Sequence, residues 1–167
     1  MRVAGFRVRV AGAMDLAGVV ALERGIAEAP HWAEAEYAAI VNASGDGDID
    51  DGVKRCLFIA EGEGRLVGFA VGKVIGLGAE SVAELESVVV DLAARRSGVG
   101  WALCEAVVEW SRRQGAAAVE LEVRAGSRGA IALYVGLGFV VVGRRGGYYR
   151  EPAEDAVLMR LKLEKRE

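Results

Sequence analysis

Apolar and polar positions alternate along this chain with a period that changes several times, and each change marks an element. "FRVRV" at residues 6–10 alternates apolar side chains with arginine, which predicts a half-buried strand. Asp15 then stands at an N-cap position, and Leu16, Val19, Leu22 and Ile26 follow at the spacing of one helical face. "EAPHW" breaks that pattern, because the residue before Pro30 is pushed out of the helical region. A second short helix is predicted from Ala33 to Val41. In "RCLFIAEGEGRLVGFAVGKVI" two apolar runs flank "EGEGR", whose glycines suit the tight turn of a hairpin. "AELESVVVD" predicts another strand, and strict alternation along it puts Glu84, Glu86, Val88 and Val90 on one face. The next helix carries Val99, Leu103, Ala106, Val107 and Trp110 on one side and stops at Gly115. In "AAVELEVRA", Val119, Leu121 and Val123 point one way, and Glu120, Glu122 and Arg124 the other. "SRGAIALYVGLGF" predicts a short helix that stops near Gly136 and Gly138. "FVVVGRR" and "DAVLMRLKL" predict two closing strands.

This mixed order predicts an α/β fold with a mixed central sheet of about six to seven strands flanked by about four helices. The 167 residues suit a single domain, 1–167, and with 53% of them hydrophobic there is material for a core. The net charge of −3 gives no reason to expect nucleic acid or an anionic membrane as partner. The local basic pairs are Arg95 with Arg96 and Arg144 with Arg145, the latter reading as a solvated strand end. Cys56 and Cys104 stand far apart, outside any CxxC or Cys/His pattern, so neither a disulfide framework nor a zinc site is expected. Asp46, Asp48 and Asp50 have the first three ligand spacings of a calcium loop. The sixth position is Asp51 instead of glycine and the twelfth is Leu57 instead of glutamate, so an exposed acidic loop is the better reading. The first residues lack the apolar stretch of a secretory signal, and no segment is long and apolar enough to cross a bilayer. The expectation is a soluble cytoplasmic protein without a metal.

The chemistry begins at "RRSGVG", residues 95–100, which joins a strand to a helix. The first amides of a helix have no internal partners, and the helix dipole favours an anion there. Glycines let a phosphate approach the backbone. The loop is not a Walker A motif, since it lacks a Gly-Lys-Ser/Thr, and GxGxxG fails at Leu103. Taken alone, it serves a bare turn as well as an anion site.

Together with the segments downstream of it, "RRSGVG" resembles the R/Q-x-x-G-x-G/A pyrophosphate loop of the GCN5-related N-acetyltransferases, with Arg95, Gly98 and Gly100 in the motif positions. "SRGAIALYVGLGF" is similar to that family's N-x-x-A-x-x-x-Y-x-x-x-G-F, matching at Ala130, Tyr134, Gly138 and Phe139 and departing at Ser127, where asparagine is usual. "LEVRAGSRGAIALYVGLGF" with "GRRGGYYREPAEDAVLMRL" after it looks like the bacterial ribosomal-protein alanine N-acetyltransferases, the RimI type. The early "PHWAEAEY" resembles their substrate-side helix. The likeness is specific from residue 84 to 161 and looser before that.

The resemblance implies acetyl-coenzyme A as co-substrate. Its pyrophosphate would lie on the loop Arg95, Arg96, Ser97, Gly98, Val99 and Gly100, and its pantetheine arm along Val88 and Val90. Ser127 can cap its helix and donate one hydrogen bond to the coenzyme, but reaches less far than asparagine. Direct acetyl transfer to an amine needs a base for the ammonium proton, donors for the developing oxyanion and an acid for the leaving thiolate. The resemblance assigns the base to Glu122 and the acid to Tyr134; alone, these read as a solvated strand carboxylate and a half-buried helix tyrosine. Glu86 is the rival base, or a substrate-binding group. His31, Trp32 and Tyr148 are candidate substrate contacts. His31 also reads as an ordinary surface histidine, and Tyr148 with Tyr149 as a cross-strand aromatic pair. The implied acceptor is a protein N-terminal α-amino group, with N-terminal alanine of a ribosomal protein first. The alternatives are a small-molecule amine acceptor or a non-catalytic acyl-coenzyme A binding module.

Overall fold

The computed structural model describes residues 5–27, 29–43, 52–76, 80–150 and 152–164, so the acidic loop with Asp46, Asp48 and Asp50 lies outside the described residues. The elements run β1 (Arg7–Val10), α1 (Leu16–Arg24), α2 (Glu34–Ala43), β2 (Val53–Gly62), β3 (Arg65–Ile75), β4 (Val82–Val90), α3 (Val99–Arg113), β5 (Ala118–Arg124), α4 (Arg128–Gly136), β6 (Val140–Arg150) and β7 (Ala153–Lys162). All seven strands join one sheet in the order β1-β2-β3-β4-β5-β7-β6. Every pairing is antiparallel except β4 with β5.

The central strands are buried on both faces, which is why β2 and β3 read as near-continuous apolar runs. Cys56, Phe58 and Ala60 point to a core under α3, where they join Leu103, Val107 and Trp110. Leu57 and Ile59 point to a second core, where Val19 of α1 and Tyr37 and Ile40 of α2 cover Phe69 and Val71. The α3 core continues under β5 and β7 through Val119, Leu121, Val123, Val157 and Met159.

Helix α3 lies close on β3 because that strand shows it two glycines. A Cβ on Gly68 would stand 2.9 Å from the Val89 carbonyl oxygen and 3.0 Å from Leu103 Cδ1. One on Gly72 would stand 2.9 Å from Val107 Cγ1 and 3.0 Å from the Trp110 ring. Interiors are packed too tightly to absorb such contacts. The glycines therefore fix the height of the helix above the sheet.

One local expectation holds in position only, and two are corrected. Asp15 occupies the N-cap of α1 but does not cap it through its side chain. Its carboxylate instead accepts from Gly12 N at 2.7 Å and from two Arg9 nitrogens at 2.8 Å each. Strand β4 does not keep one alternation: Val71 pairs with Ser87 but Gly72 pairs with Leu85, leaving Glu86 as the extra residue of a bulge. Ala83 and Leu85 before the bulge, and Val88 and Val90 after it, therefore serve the α3 core, while Val89 serves the other. Glu84 and Glu86 do not continue the face of Val88 and Val90, since the extra residue switches the parity. Tyr148 and Tyr149 are not a cross-strand pair. Arg145 pairs with Ala156 and Tyr149 with Glu154, so Gly146, Gly147 and Tyr148 bulge opposite Asp155 alone. The bulge brings the two consecutive rings edge to face at 5.1 Å.

Candidate functional site

The sheet opens beside β4. The parallel ladder to β5 holds only Val82 with Ala118, Ala83 with Val119 and Glu84 with Glu120. Beyond Glu84, β4 stays on β3 as far as Val90, and β5 stays on β7 as far as Arg124. A gap widens between the two, and the β5-side edge of β4 offers its backbone groups to it.

The loop at the end of β4 is held by its own side chains. Asp91 accepts from Ala93 N at 3.1 Å and from Arg65 Nη1 at 2.8 Å. Ser97 is buried and its hydroxyl donates to the Ala94 carbonyl. Gly98 is the N-cap of α3 at φ 88°, a left-handed conformation that favours glycine. It has no side chain to satisfy the helix's first amides, and the first intrahelical bond there runs from Ala102 N to the Gly98 carbonyl. The amides of Val99, Gly100 and Trp101 are thereby left for an anion. Arg96 also has a positive φ, 63°, which is unusual for a residue with a side chain.

A cleft of about 610 Å³ lies in front of this loop. Its walls are Val88 and Val90 of β4, Arg95, Arg96, Gly98, Gly100 and Trp101 of the loop and α3, and Ser127, Gly129, Ala130, Leu133 and Tyr134 of α4 and its approach. The loop, the β4 valines, Ser127 and Tyr134 are therefore brought together. Within the loop, Ser97 and Val99 turn their side chains inward, so only their backbone is offered to the cleft. Ser127 makes no side-chain cap to α4, contrary to the capping expected of it.

A second cleft, about 320 Å³, shares Val88, Val90, Arg95, Ser127, Ala130 and Tyr134 with the first. It adds Glu86, Glu122, Arg124 and Tyr149, with Ile26, Ala29 and Pro30 from the chain after α1. Glu122 thus lies on the far side of the gap from the loop, with Tyr134 in both clefts.

The candidate carboxylates have different surroundings. Glu122 is 28% exposed, with Arg145 Nη1 3.6 Å away. The Tyr148 hydroxyl donates to it, and that bond, with the carboxylate's charge, raises the phenol's pKa. Glu86 is only 9% exposed and meets Arg55 Nε and Nη2 at 3.1 Å each and Lys73 Nζ at 3.8 Å, so its oxygens already have cationic partners. Glu84 is half-buried, and burial, then the nearby Glu86 charge, raises its pKa. Burial likewise raises the Tyr134 phenol, with Cys104 and Tyr149 adding to it, so Tyr134 stays protonated as a donor.

His31 and Trp32, the candidate substrate contacts, line neither of these two clefts. His31 Nε2 lies 2.9 Å from the Ile26 carbonyl, to which it donates, and 3.9 Å from buried Glu23. Glu23 also accepts from Tyr37 Oη at 2.8 Å and Arg24 Nη1 at 2.7 Å. Trp32 packs on the Tyr37 ring at 5.5 Å. The His31 bond holds Ile26, which walls the second cleft.

Sequence reasoning missed three contacts. Arg145, read as a solvated strand end, reaches Glu122. Arg124 lies 4.2 Å over the Tyr149 ring and 3.4 Å from Glu154. Trp101 faces the main cleft although it lies off the apolar stripe of α3. An indole on the polar side of a helix, next to a glycine loop, was the one available signal. Among the described residues no group of three or more His, Cys, Asp or Glu side chains is placed to hold a metal.

The chain is similar to known proteins in sequence and in fold. The [ribosomal protein bS18]-alanine N-acetyltransferase of Escherichia coli (strain K12) is 36% identical over 102 residues, covering 60% of this chain and 66% of that protein. The N-alpha-acetyltransferase RimI of Mycobacterium tuberculosis is 36% identical over 101 residues, covering 60% of this chain and 62% of that one. The matched part thus spans just under two thirds of the length of these relatives. The crystal structure of the ribosomal-protein-S18-alanine N-acetyltransferase from Escherichia coli superposes with a TM-score of 0.75 at 27% identity, over 98% of this chain and 97% of that one. The family model for the acetyltransferase (GNAT) family matches residues 23–139, and the chain belongs to that family.

Proposed function

We propose that this protein transfers the acetyl group of acetyl-coenzyme A to a protein N-terminal α-amino group, with N-terminal alanine of a ribosomal protein as the first candidate. The observation that carries the reading is the gap between β4 and β5. It has the open amides of the Gly98 to Gly100 turn on one side, Glu122 on the other, and Tyr134 reaching both. The E. coli and M. tuberculosis relatives support the choice of acceptor.

The α3 amides and Arg95 take the pyrophosphate, and the free edge of β4 at Val88 and Val90 takes the pantetheine arm. The acceptor comes from the Glu122 side, past Ile26, Ala29 and Pro30. Glu122 removes a proton from the ammonium, acting through a water, and so frees the nitrogen lone pair. That nitrogen attacks the thioester carbonyl carbon directly, and its second proton leaves through the same water to solvent as the amide forms. As the tetrahedral species collapses, the carbon–sulfur bond breaks and Tyr134 gives its proton to the departing thiolate, recovering one from solvent afterwards. No acyl-enzyme forms.

The test is an acetylation assay against a panel of peptide N-termini and small amines, read by mass spectrometry. Acetylation of alanine-initiated peptides is expected. Acetylation of small amines alone would reassign the acceptor, and coenzyme binding without any acetylation would make the protein a binding module.

A further inference from the structure

Resting on the coenzyme reading, we propose that Trp101 is the platform for the adenine ring of the acetyl donor, and so sets a preference for the whole coenzyme over its pantetheine end. The buried stripe of α3 is Val99, Leu103, Cys104, Val107, Val108, Trp110 and Ser111. Trp101 falls on the other side of the helix and is 39% exposed. One exposed apolar side chain means little by itself, but this one has a built seat. A Cβ on Gly136 would stand 3.0 Å from the indole Cζ3, so the ring rests on α4 at a point where a larger residue would crowd it. The seat keeps the indole on the lining of the cleft, one residue past Gly100.

The order of groups along the ligand selects adenine. The thioester end belongs at Tyr134 and Ser127, and the pyrophosphate at the Gly98 to Gly100 turn. The group that continues beyond the pyrophosphate is the nucleoside, whose purine has a flat π-face. An indole fixed at that end offers the matching surface, and stacking does not require charge or hydrogen bonds. The part of the molecule that pantetheine compounds lack is the part Trp101 would hold.

Calorimetry on the full chain tests this with coenzyme A, dephospho-coenzyme A and 4′-phosphopantetheine against wild type, Trp101→Ala and Trp101→Phe. Trp101→Ala should weaken coenzyme A and dephospho-coenzyme A alike by about tenfold, the scale of one aromatic stack, and leave 4′-phosphopantetheine unchanged. Trp101→Phe should recover most of that affinity. In turnover, the KM for acetyl-coenzyme A should rise with kcat unchanged. Equal losses on all three ligands would make Trp101 a support for the loop and overturn the proposal, as would no loss on any. Should Trp101→Ala fail to fold, Gly136→Ala, which crowds the ring without removing it, should show the same ligand ranking. Wild type that binds none of the three would bring down the coenzyme reading itself, an outcome distinct from the others.

Discussion

Two side chains carry the proposed proton transfers, and their surroundings set what each substitution should do. Glu122→Gln keeps the shape of the side chain but has no basic oxygen. It should lower kcat by about 100-fold or more, the usual scale of general-base catalysis, with coenzyme affinity kept. Calorimetry beside steady-state kinetics checks both halves, and wild-type turnover would pass the base role to Glu86 or to no residue. Tyr134→Phe should slow turnover by at least about tenfold. An unchanged rate would remove the acid role. Gly98 combines two demands, its positive φ and the approach of an anion. Gly98→Ala meets open space, since nothing lies within 4 Å of a Cβ there, so what it costs the free protein is backbone strain alone. Loss of affinity beyond the loss of stability would isolate the anion's share. The sequence could nominate Glu122, Tyr134 and Gly98 because each holds a position in a stretch that resembles a family motif. The Arg145 partner of Glu122 and the Arg55 and Lys73 partners of Glu86 were not legible, because they come from strands brought alongside only by folding.

Helix α3 and strand β3 make the element that aims the loop. Gly68 and Gly72 both lie under this helix, but they bear on different turns of it. Gly68→Ala drives into Val99 and Leu103, next to the loop, and should cost about 1–3 kcal/mol of stability and also weaken coenzyme binding. Gly72→Ala drives into Val107 and Trp110, farther along, and should cost a similar amount while leaving the affinity near wild type. Denaturant midpoints and calorimetry on both variants separate the effects; equal affinity losses would mean that the helix moves as a rigid rod. The sequence announced these elements through their period, since a helical or alternating pattern is a local property. It did not announce the bulge at Glu86. The residues on either side of it satisfy one unbroken alternation equally well, and only pairing with β3 shows that one residue is extra. The same holds at Tyr148, where a bulge in β6 is decided by β7.

Across the whole molecule, burial holds several acids in their neutral form. It pushes the Cys56 thiol up to about 11 and the Cys104 thiol up to about 12, and raises the Tyr134 phenol. In the unfolded chain these thiols lose their protons from about pH 8.5. The native state therefore binds more protons above that point, and stability should be full below about pH 8 and fall as pH rises towards 11 and 12. Denaturant midpoints at pH 7.5 and 10.5 check this, and the fall should shrink in a Cys56→Ala, Cys104→Ala double variant. The same burial makes both thiols slow towards alkylating reagents in the native state.

The short ladder between β4 and β5 divides the sheet into two rafts. One is β1 to β4, the other β5, β7 and β6; among the described residues three residue pairs, the Ala117 N to Ser81 carbonyl bond just before them and the core under α3 join the two. Each raft has its own continuous ladders, so hydrogen exchange should report two opening units instead of one. A donor seated in the gap would supply the missing rungs. Its footprint should extend beyond the amides it touches, slowing exchange along β7 and β6 as the two rafts come to open together.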